Sequence, residues 1–505
     1  MKGHFIKKIS IILTALSFLF CPFQGLSSTS FALSIEEEQA MGRQFVARII
    51  QHYELVDDDF ACNYINGLGQ YLTRAVETKY FPFDFYIIKE RTVNAFAAPG
   101  GHVFIYSGLI VLMENVDELA GVLGHEIGHV SARHLSKRIK QSKTIGLATM
   151  AGILAGVFVG GPAAQALIVG SQAAGTQTRL NYSRDDERQA DQLGFKYERT
   201  MGFDPEGMIG MLTILGKLHD TSPYNIPTYL LTHPPSPERI ALVQSLLSNS
   251  PPRIHTKEAD RYKALFPFFK IIIKAKCLEQ YEAERLFKLD LKKSPESTLP
   301  HFGLGIVYQR MSEYSKSIYH LKKAHEGNPD FLPILTNLGK SYGMNGQDRE
   351  AVETLEEVLK QDDENSAALF LLALSYENME QYQKAIRVYE RLASFRPVKK
   401  EIYYHLGLSY GRENKLAYAH YNFGRYFQKQ GQFKKAKFHF QKAIKLSKNN
   451  RPLKKKIEKE MGGKLPQKKE STPEHGKERG RNNIPGQAHR FRSGLFDLKA
   501  QKLQE

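Results

Sequence analysis

The sequence has few cysteines and no apolar run of membrane-spanning length at its amino terminus. Only three cysteines occur among 505 residues, which excludes a small scaffold built on many disulfides. Two of them, Cys62 and Cys277, lie beyond the first 32 residues, and one disulfide or two free thiols fit them equally well. The apolar run after Lys7 and Lys8 spans about twelve residues, fewer than the roughly 20 that a membrane helix needs.

The amino-terminal residues have the pattern of an export signal. A basic start is followed by the short apolar run and by Ser-Phe-Ala at residues 30–32, a small-x-small site typical of signal-peptide cleavage. We therefore predict that residues 1–32 are a signal peptide and that the protein is exported. Lipid attachment at Cys21 is disfavoured because the preceding residue, Phe20, is not small.

Residues 33–248 have the patterns of one α+β domain. Three segments rich in aromatic and β-branched residues favour strands, at residues 81–90, 92–98 and 102–108. A Pro-Gly-Gly turn separates the last two, and helical periodicity surrounds all three. Two prolines and a run of charge then interrupt the periodicity, so we predict a linker at residues 249–261.

Beyond the linker the chain repeats itself every 34 residues. A Leu-Gly or Leu-Ala pair followed by a tyrosine recurs in register, at Leu304, Leu338, Leu372 and Leu406. The period resembles that of the tetratricopeptide repeat, which predicts an all-α solenoid over residues 262–450. The last copy starts only 17 residues after the preceding pair, so one helix near 416–429 should serve two neighbours. Such arrays bind peptides or proteins, and their consensus positions carry no chemistry.

The carboxyl-terminal tail, residues 451–505, is rich in Lys, Arg, Gly, Gln and Pro. This composition with little periodic apolar content predicts a disordered segment. The formal charge of the whole chain is +17, and the basic tail could contact anionic lipid or polysaccharide. A solvated tail without a partner is the other interpretation. We expect no nucleic-acid partner.

The stretch 122–134, VLGHEIGHVSARH, contains the H-E-x-x-H pattern formed by His125, Glu126 and His129. A capping pattern that begins at Asn115 and an apolar face predict a helix here. Residues i and i+4 of a helix lie one above the other, so both histidines can bind one Zn²⁺. Glu126 then projects beside the metal, where it can accept a proton from water. The alternative is a buried helix with incidental histidines.

A catalytic zinc site needs a third protein ligand and one open position. Spacing leaves several candidates open: His102, His134, Asp185, Asp186, Glu187 and Asp191. His134 lies five residues beyond His129, about 140° around a continuous helix and away from the metal. Glu187 and Asp191 are four residues apart on a predicted helix, so one could bind metal while the other orients a ligand histidine.

The pairing of H-E-x-x-H with the later E-x-x-x-D at residues 187–191 resembles the zinc metallopeptidases of the HtpX and BepA type. The order of export signal, peptidase and repeats is similar to that of the BepA-like members. The resemblance implies a zincin-like fold, one Zn²⁺ per chain, Glu187 as third ligand and Asp191 as the carboxylate behind a ligand histidine. It also implies a periplasmic endopeptidase that degrades misassembled outer-membrane proteins beside their assembly machinery.

Residues 94–109 resemble the strand pair that precedes the zinc helix in this family, whose edge strand holds substrate by strand addition. An extended peptide would then borrow backbone hydrogen bonds around Asn94, Ala95 and Phe96. The alternative is a hairpin that only builds the sheet.

Residues 230–240 match the segment from which BepA-like proteins bring a further histidine to the zinc. The resemblance implies that His233 fills the open position and keeps the enzyme latent until it moves away. Arg239 also matches, and the resemblance gives it a role in stabilising the developing oxyanion. A Pro-rich turn with a solvent-facing His233 is the alternative.

The apolar run at residues 144–175 raises the question of a membrane span. One crossing would put Glu187 on the opposite side from His125, so a pair of short helices that touch a membrane or a partner fits better. Two other functions remain open. One is a repeat-based chaperone or adaptor with little turnover, and the other is an integral membrane peptidase of the HtpX type, which would need well-formed membrane spans.

Overall fold

The structure is a computed structural model, and it describes residues 33–141, 182–221, 229–230, 233, 237–252, 254–395 and 397–462. The predicted signal peptide, the apolar run 144–175 and most of the predicted tail lie outside these residues. Among the described helices, none is both long and apolar enough to cross a membrane.

A three-stranded sheet forms where the aromatic and β-branched segments predict strands. Its strands are β1 (Asp84–Ile88), β2 (Ala95–Ala98) and β3 (His102–Tyr106), in the order β1-β3-β2. β3 pairs in parallel with β1 and antiparallel with β2, which leaves β1 and β2 at the two edges. The tight turn between β2 and β3 requires glycine, because Gly101 has a φ of 91° and a Cβ there would lie 2.2 Å from the carbonyl oxygen of Pro82.

Helices surround this sheet and confirm the predicted α+β class. They are α1 (Ile35–His52), α2 (Asp59–Leu72), α3 (Ser107–Leu112), α4 (Val116–Ser131), α5 (His134–Gln141), α6 (Arg184–Thr200), α7 (Glu206–Thr221) and α8 (Pro237–Ser248). A short 3-10 helix, Thr73–Ala75, follows α2. α4 packs against β2 on one side and against α6 and α7 on the other, so it lies at the centre of this part of the molecule.

α4 and α6 approach closely because small residues line their contact. A Cβ on Gly128 of α4 would lie 2.9 Å from the carbonyl oxygen of Ala190 of α6. A Cβ on Gly194 of α6 would lie 2.9 Å from the backbone nitrogen of His125. Larger side chains at these positions would push the two helices apart, so the contact sets how near the residues of one helix come to those of the other.

The second half of the described chain is entirely helical, as the 34-residue period predicts. Its helices are α9 (Lys257–Cys277), α10 (Gln280–Lys293), α11 (Thr298–Arg310), α12 (Tyr314–Gly327), α13 (Leu332–Met344), α14 (Asp348–Gln361), α15 (Ser366–Asn378), α16 (Tyr382–Leu392), α17 (Lys400–Arg412), α18 (Leu416–Lys429), α19 (Phe433–Leu446) and α20 (Arg451–Gly462). The glycine that recurs in the repeats explains why the two helices of a unit pack closely. Leu321 fills the space that a Cβ on Gly305 would need, and Leu355 fills the space that a Cβ on Gly339 would need.

α18 belongs to two repeats, as the 17-residue offset predicts. Gly407 of α17 packs against Phe423 of α18, and Gly424 of α18 packs in the same way against Phe440 of α19. One helix therefore supplies the large side chain to the preceding unit and the glycine to the following one.

Two predicted boundaries differ from the structure. The predicted disordered tail begins at Arg451, but α20 occupies its first twelve residues and buries Leu453 and Ile457 against α19 and its neighbours. These apolar residues are four apart among lysines, so they form a narrow stripe on one helix face, which the composition of the tail does not reveal.

The predicted linker 249–261 overlaps α9. This helix begins at Lys257 because the Thr256 side chain accepts a hydrogen bond from the backbone of Ala259.

The repeats contact the sheet-containing part near the start of α2. Tyr64 stacks on Phe269 of α9 with ring centroids 4.4 Å apart, and Phe60 packs edge-on against Phe331 before α13. Asp58 pairs with Lys276 at 2.6 Å. The two cysteines that follow the predicted signal, Cys62 and Cys277, are both free thiols.

Candidate metal centre

α4 presents the H-E-x-x-H residues in a fully buried position. The helix begins where the Asn115 side chain accepts a hydrogen bond from the backbone of Glu118 at 3.0 Å. His125, Glu126 and His129 follow within α4, and each is at most 2% exposed. The predicted helix is therefore confirmed, and its histidines point into the molecule.

α6 presents the E-x-x-x-D residues toward α4. Ser183 and Asp186 cap its amino terminus reciprocally, which fixes where the helix starts. Glu187 and Asp191 are one turn apart, and both are buried. Because α4 and α6 touch through glycine, these two carboxylates lie within reach of the α4 histidines.

Four side chains converge on one point between α4, α6 and the segment that contains residue 233. The Nε2 atoms of His125 and His129 are 3.0 Å apart, and the Glu187 carboxylate lies 3.4–3.5 Å from them. His233 joins them, with its Nδ1 3.3 Å from His125 Nε2 and 2.9 Å from Glu187 Oε1. The ligand atoms of all four residues lie within 4.8 Å of one another.

Hydrogen bonds behind the histidines fix which ring nitrogens carry protons. Asp191 Oδ1 lies 2.9 Å from His125 Nδ1, so that nitrogen donates and Nε2 keeps a lone pair. Behind His129, the His134 Nδ1 lies 2.9 Å from His129 Nδ1, and His134 Nε2 lies 2.9 Å from Gln189 Oε1. His134 therefore donates from Nε2 to the Gln189 oxygen and accepts at Nδ1 from His129 Nδ1. The other ring nitrogen of His129, Nε2, consequently carries a lone pair, as His125 Nε2 does.

The residues that face the centre fit a divalent cation. Two imidazole lone pairs and a carboxylate face one another in a buried space, an arrangement that is repulsive unless a positive charge lies among them. Both carboxylate oxygens of Glu126 are buried beside this space without a hydrogen-bond partner. Two histidines and one glutamate are the ligand set of several catalytic zinc sites.

Arg239 holds the carboxylates of α6 in place. Its guanidinium donates to Asp191 at 2.8 and 2.7 Å and lies 2.9 Å from Glu187 Oε2. Although burial raises the pKa of the Glu187 carboxyl, His233 and Arg239 together hold it well below its usual range. Asp191 likewise has a lowered pKa, because hydrogen bonds from Arg239 and His125 outweigh its burial. Both carboxylates are therefore ionised near neutral pH.

Burial is the dominant influence on the pKa of two residues of α4. It raises the pKa of Glu126, although the neighbouring charges of His233 and His125 partly offset it. It also holds the pKa of His129 well below its usual value, so His129 is neutral near pH 7. A neutral imidazole is the form that ligates metals.

The comparisons with known proteins agree with this geometry. Residues 62–247 match the model of Peptidase family M48. These residues form an M48 peptidase domain. Residues 417–450 match the tetratricopeptide repeat model, and residues 310–392 match the model described as anaphase-promoting complex, cyclosome, subunit 3.

Several known proteins are similar to parts of this chain. The beta-barrel assembly-enhancing protease of Yersinia pestis is 28% identical over 380 residues, which is 72% of this chain and 75% of that protein. The protein of the same name from Escherichia coli K12 is 29% identical and aligns over 62% of each chain, so this chain spans less than two thirds of its length. The metalloprotease YcaL of E. coli K12 is 32% identical over 33% of this chain and 63% of its own. Among solved structures, a crystal structure of MamA is 23% identical over 33% of this chain and 82% of its own, with a TM-score of 0.26.

Three predicted ligand candidates lie outside the cluster of four converging residues. His102 lies on β3 beside Asp84, at 3.3 Å. Asp185 is exposed and pairs with Arg188 of the same helix. Asp186 caps α6 and accepts from Arg138.

His134 is not among the four converging residues, but it contacts one of them, and its contact was not predicted. Arg133 has a φ of 54°, so α4 ends before His134 and the chain turns back. The 140° rotation assumed a continuous helix, and this turn brings His134 against Nδ1 of His129, the ring nitrogen that faces away from the converging residues.

Sequence reasoning also missed two tyrosines. The ring of Tyr182 lies over His129 with centroids 3.9 Å apart, and the ring of Tyr229 stacks on His233 with centroids 4.6 Å apart. Tyr229 precedes His233 by one helical turn, which is the only sequence signal for either.

The predicted substrate strand lies next to α4. β2 contains Ala95 and Phe96, directly after Asn94, and the side chains of all three residues are buried. β2 contacts α4, and a small cavity between them is lined by Ala97, Ala98 and His129 among others. The edge of the sheet therefore borders the candidate metal centre.

Proposed function

We propose that this chain is an exported zinc-dependent endopeptidase that hydrolyses peptide bonds of misassembled envelope or outer-membrane proteins, with its repeats binding clients or partners. The observation that carries the proposal is the convergence of His125, His129 and Glu187 on one buried point beside Glu126. The M48 match and the names of the relatives support the same activity.

His125, His129 and Glu187 would hold one Zn²⁺ per chain. When bound, the metal would act as a Lewis acid that polarises the peptide carbonyl and makes water more acidic. Glu126 is the general base in this proposal, because its carboxylate is buried beside the ligands without a hydrogen-bond partner and can take a proton from water. Asp191 keeps the His125 proton on Nδ1 and so holds Nε2 ready to ligate.

Arg239 has a different role in this proposal from the oxyanion role that its sequence match implies. Its Nε and Nη2 donate to Asp191, and its Nη1 lies 2.9 Å from Glu187. A guanidinium committed to two carboxylates positions the ligands and has little capacity left for a developing oxyanion. We therefore assign Arg239 to the support of Glu187 and Asp191.

Substrate would bind by strand addition at β2. This strand is an edge of the sheet, and it borders the cavity in front of His129. An extended peptide paired along the backbone around Asn94, Ala95 and Phe96 would present its carbonyl groups toward Glu126. Because these side chains are buried, pairing through the backbone would tolerate many client sequences.

His233 is a latch in this proposal. Its Nδ1 contacts both His125 and Glu187, and its Nε2 lies 3.7 Å from Glu126 Oε1. In this position the imidazole fills the space that water and substrate need. We expect His233→Ala to raise casein cleavage about tenfold or more, since each 1.4 kcal/mol of latch stability corresponds to about tenfold in open population. His255→Ala, at an exposed histidine, is the control; equal rates in both variants would rule out the latch.

The proposed location is the periplasm, reached through the signal peptide at residues 1–32. The relatives are named for beta-barrel assembly, so the outer-membrane protein assembly machinery is the proposed partner. The repeats supply a surface of the kind that binds peptides and proteins, and residues 144–175 are a proposed site of peripheral membrane contact.

Glu126→Gln tests the peptidase proposal. The amide keeps the shape of the carboxylate but cannot accept the proton, so zinc should stay bound while casein cleavage falls about 10²- to 10⁴-fold. Zinc content and cleavage are measured on the same sample. A zinc-replete Glu126→Gln protein that cleaves casein at the wild-type rate would refute the role of Glu126.

The second candidate is a chaperone or adaptor with low turnover, and the closed centre favours it: all four converging residues are at most 2% exposed. In that case Glu126→Gln should restore function to a deletion strain, whereas disruption of the repeat surface should not. A peptidase predicts failure of Glu126→Gln in the same strain.

A further inference from the structure

A second, charged cavity lies where the M48 domain meets the repeats. Its volume is about 170 Å³. We call it the junction cavity, and its charged lining residues are Glu54, Asp57, Lys89, Lys276, Arg310 and Lys340. The first three come from the M48 side of the boundary and the last three from α9, α11 and α13 of the repeats.

Most of these charges are already paired within the chain. Lys89 pairs with Glu54 at 2.8 Å, and Lys276 pairs with the neighbouring Asp58 at 2.6 Å. Asp57 lies 3.4 Å from Lys399, which comes from the start of α17. The two acidic lining residues are therefore occupied by lysines other than Lys340.

Two cations of the junction cavity have no carboxylate of the described chain within 4.0 Å, namely Arg310 and Lys340. Arg310 donates to the backbone oxygens of Ala275 and Leu278 at the end of α9. These groups are neutral, and carboxylates such as Glu279 and Glu54 offset its charge only from a greater distance. Lys340 is half-buried; burial, reinforced by nearby Lys276, lowers its pKa to about 8. A bound anion would stabilise both charges.

We propose that the junction cavity binds the carboxyl terminus of a protein ligand, with Arg310 and Lys340 as the groups that recognise its carboxylate. Arginine and lysine beside a partly dry cavity form strong charge-assisted hydrogen bonds to carboxylates. The helical repeats are of a class that binds peptides. The small volume favours a chain end, because an internal acidic residue would have to bring two flanking backbone segments into the same space.

The junction cavity is separate from the proposed substrate strand. Lys89 follows β1 directly, and β1 and β2 are opposite edges of the sheet. Two strand spacings of about 4.8 Å place these edges roughly 10 Å apart. A chain end in the cavity is therefore anchored beside the peptidase site and is not itself cut there, so this inference does not depend on peptidase activity.

Peptide binding to the full chain tests the proposal. The probe is a fluorescein-labelled pool of random pentapeptides with free carboxyl termini, compared with the same pool amidated at that end. Fluorescence anisotropy is measured with the Glu126→Gln protein, so that no probe is cleaved. We expect the free-acid pool to bind at least about tenfold more tightly than the amidated pool, which is the effect of losing one charge-assisted contact.

Lys340→Gln should weaken binding of the free-acid pool about tenfold and leave the fold intact by circular dichroism. Lys360→Gln, at an exposed lysine on α14, is the control and should bind as the parent does. Arg310→Lys keeps the charge but loses the planar fork, and it should weaken binding less than Lys340→Gln. Equal binding of the two pools, no binding of either, or unchanged binding by Lys340→Gln would overturn the proposal. Saturable binding of inorganic phosphate without binding of the free-acid pool would also overturn it, in favour of a small-anion site.

Discussion

Replacing Asp191 with alanine should destabilise the fold far more than removing a carboxylate from the surface of the same helix. Asp191 is 0% exposed and receives hydrogen bonds from Arg239 Nε, Arg239 Nη2 and His125 Nδ1, all at 2.7–2.9 Å. Arg239 is itself only 6% exposed. Without Asp191, most of the guanidinium would remain buried with Glu187 as its nearest ionic partner.

The expected loss follows from the cost of an incompletely paired buried charge. Removing one partner of a buried ion pair costs about 3–5 kcal/mol, which is a large part of the 5–15 kcal/mol that stabilises a typical domain. Retention of the Glu187 contact argues for the lower end of that range. The double variant Asp191→Ala/Arg239→Leu removes both charges, so it should lose less unfolding free energy than the two single variants lose in sum.

Urea unfolding followed by circular dichroism, with metal removed by a chelator, measures this effect apart from metal binding. Asp185→Ala is the control, because Asp185 lies on the same helix, is 88% exposed, and meets Arg188 at only 3.4 Å. That variant should lose no more than about 0.5 kcal/mol. If Asp191→Ala unfolds within about 1 kcal/mol of Asp185→Ala, the ion pair does not support the site as argued.

Two further variants test how the centre is built. His134→Ala should lower zinc affinity about 10- to 100-fold by removing the acceptor behind His129; competition with a fluorescent chelator measures it, and unchanged affinity would contradict the role of His134. Gly128→Ala places a Cβ 2.9 Å from the Ala190 oxygen and should cost about 1–3 kcal/mol, whereas Gly216→Ala, where nothing lies within 4 Å, should be neutral or slightly stabilising. Equal unfolding midpoints for the two glycine variants would show that the α4–α6 contact is not tight.

Local periodicity was sufficient for the part of the site that lies on one helix. His125 and His129 are four residues apart, so helical geometry alone places them on one face. Glu187 lies 58 residues beyond His129, and no local pattern links α6 to α4. Spacing left six candidates open, and the choice of Glu187 came from resemblance to a family. The structure brings Glu187 to the α4 histidines through a helix contact that the sequence shows only as scattered glycines.

His134 shows why the rest could not be predicted. The rotation around the helix predicted that the His134 side chain points away from the metal, and His134 is indeed not one of the four converging residues. That prediction assumed, however, that the helix continues. A left-handed residue at Arg133 ends the helix, and nothing in the residue type favours that conformation, because φ above zero is uncommon for any residue but glycine. The junction cavity is similarly hidden, since its lining combines residues 54–89 with residues 276–344, and only the packed fold brings them together.

The position of a bound zinc ion tests the central claim most directly. Crystals of the full chain grown with Zn²⁺ would give an anomalous diffraction peak at the zinc absorption edge. The account predicts one peak per chain among His125 Nε2, His129 Nε2 and the Glu187 carboxylate, about 2.0–2.2 Å from each. A peak elsewhere, or none there in zinc-replete protein, would contradict it.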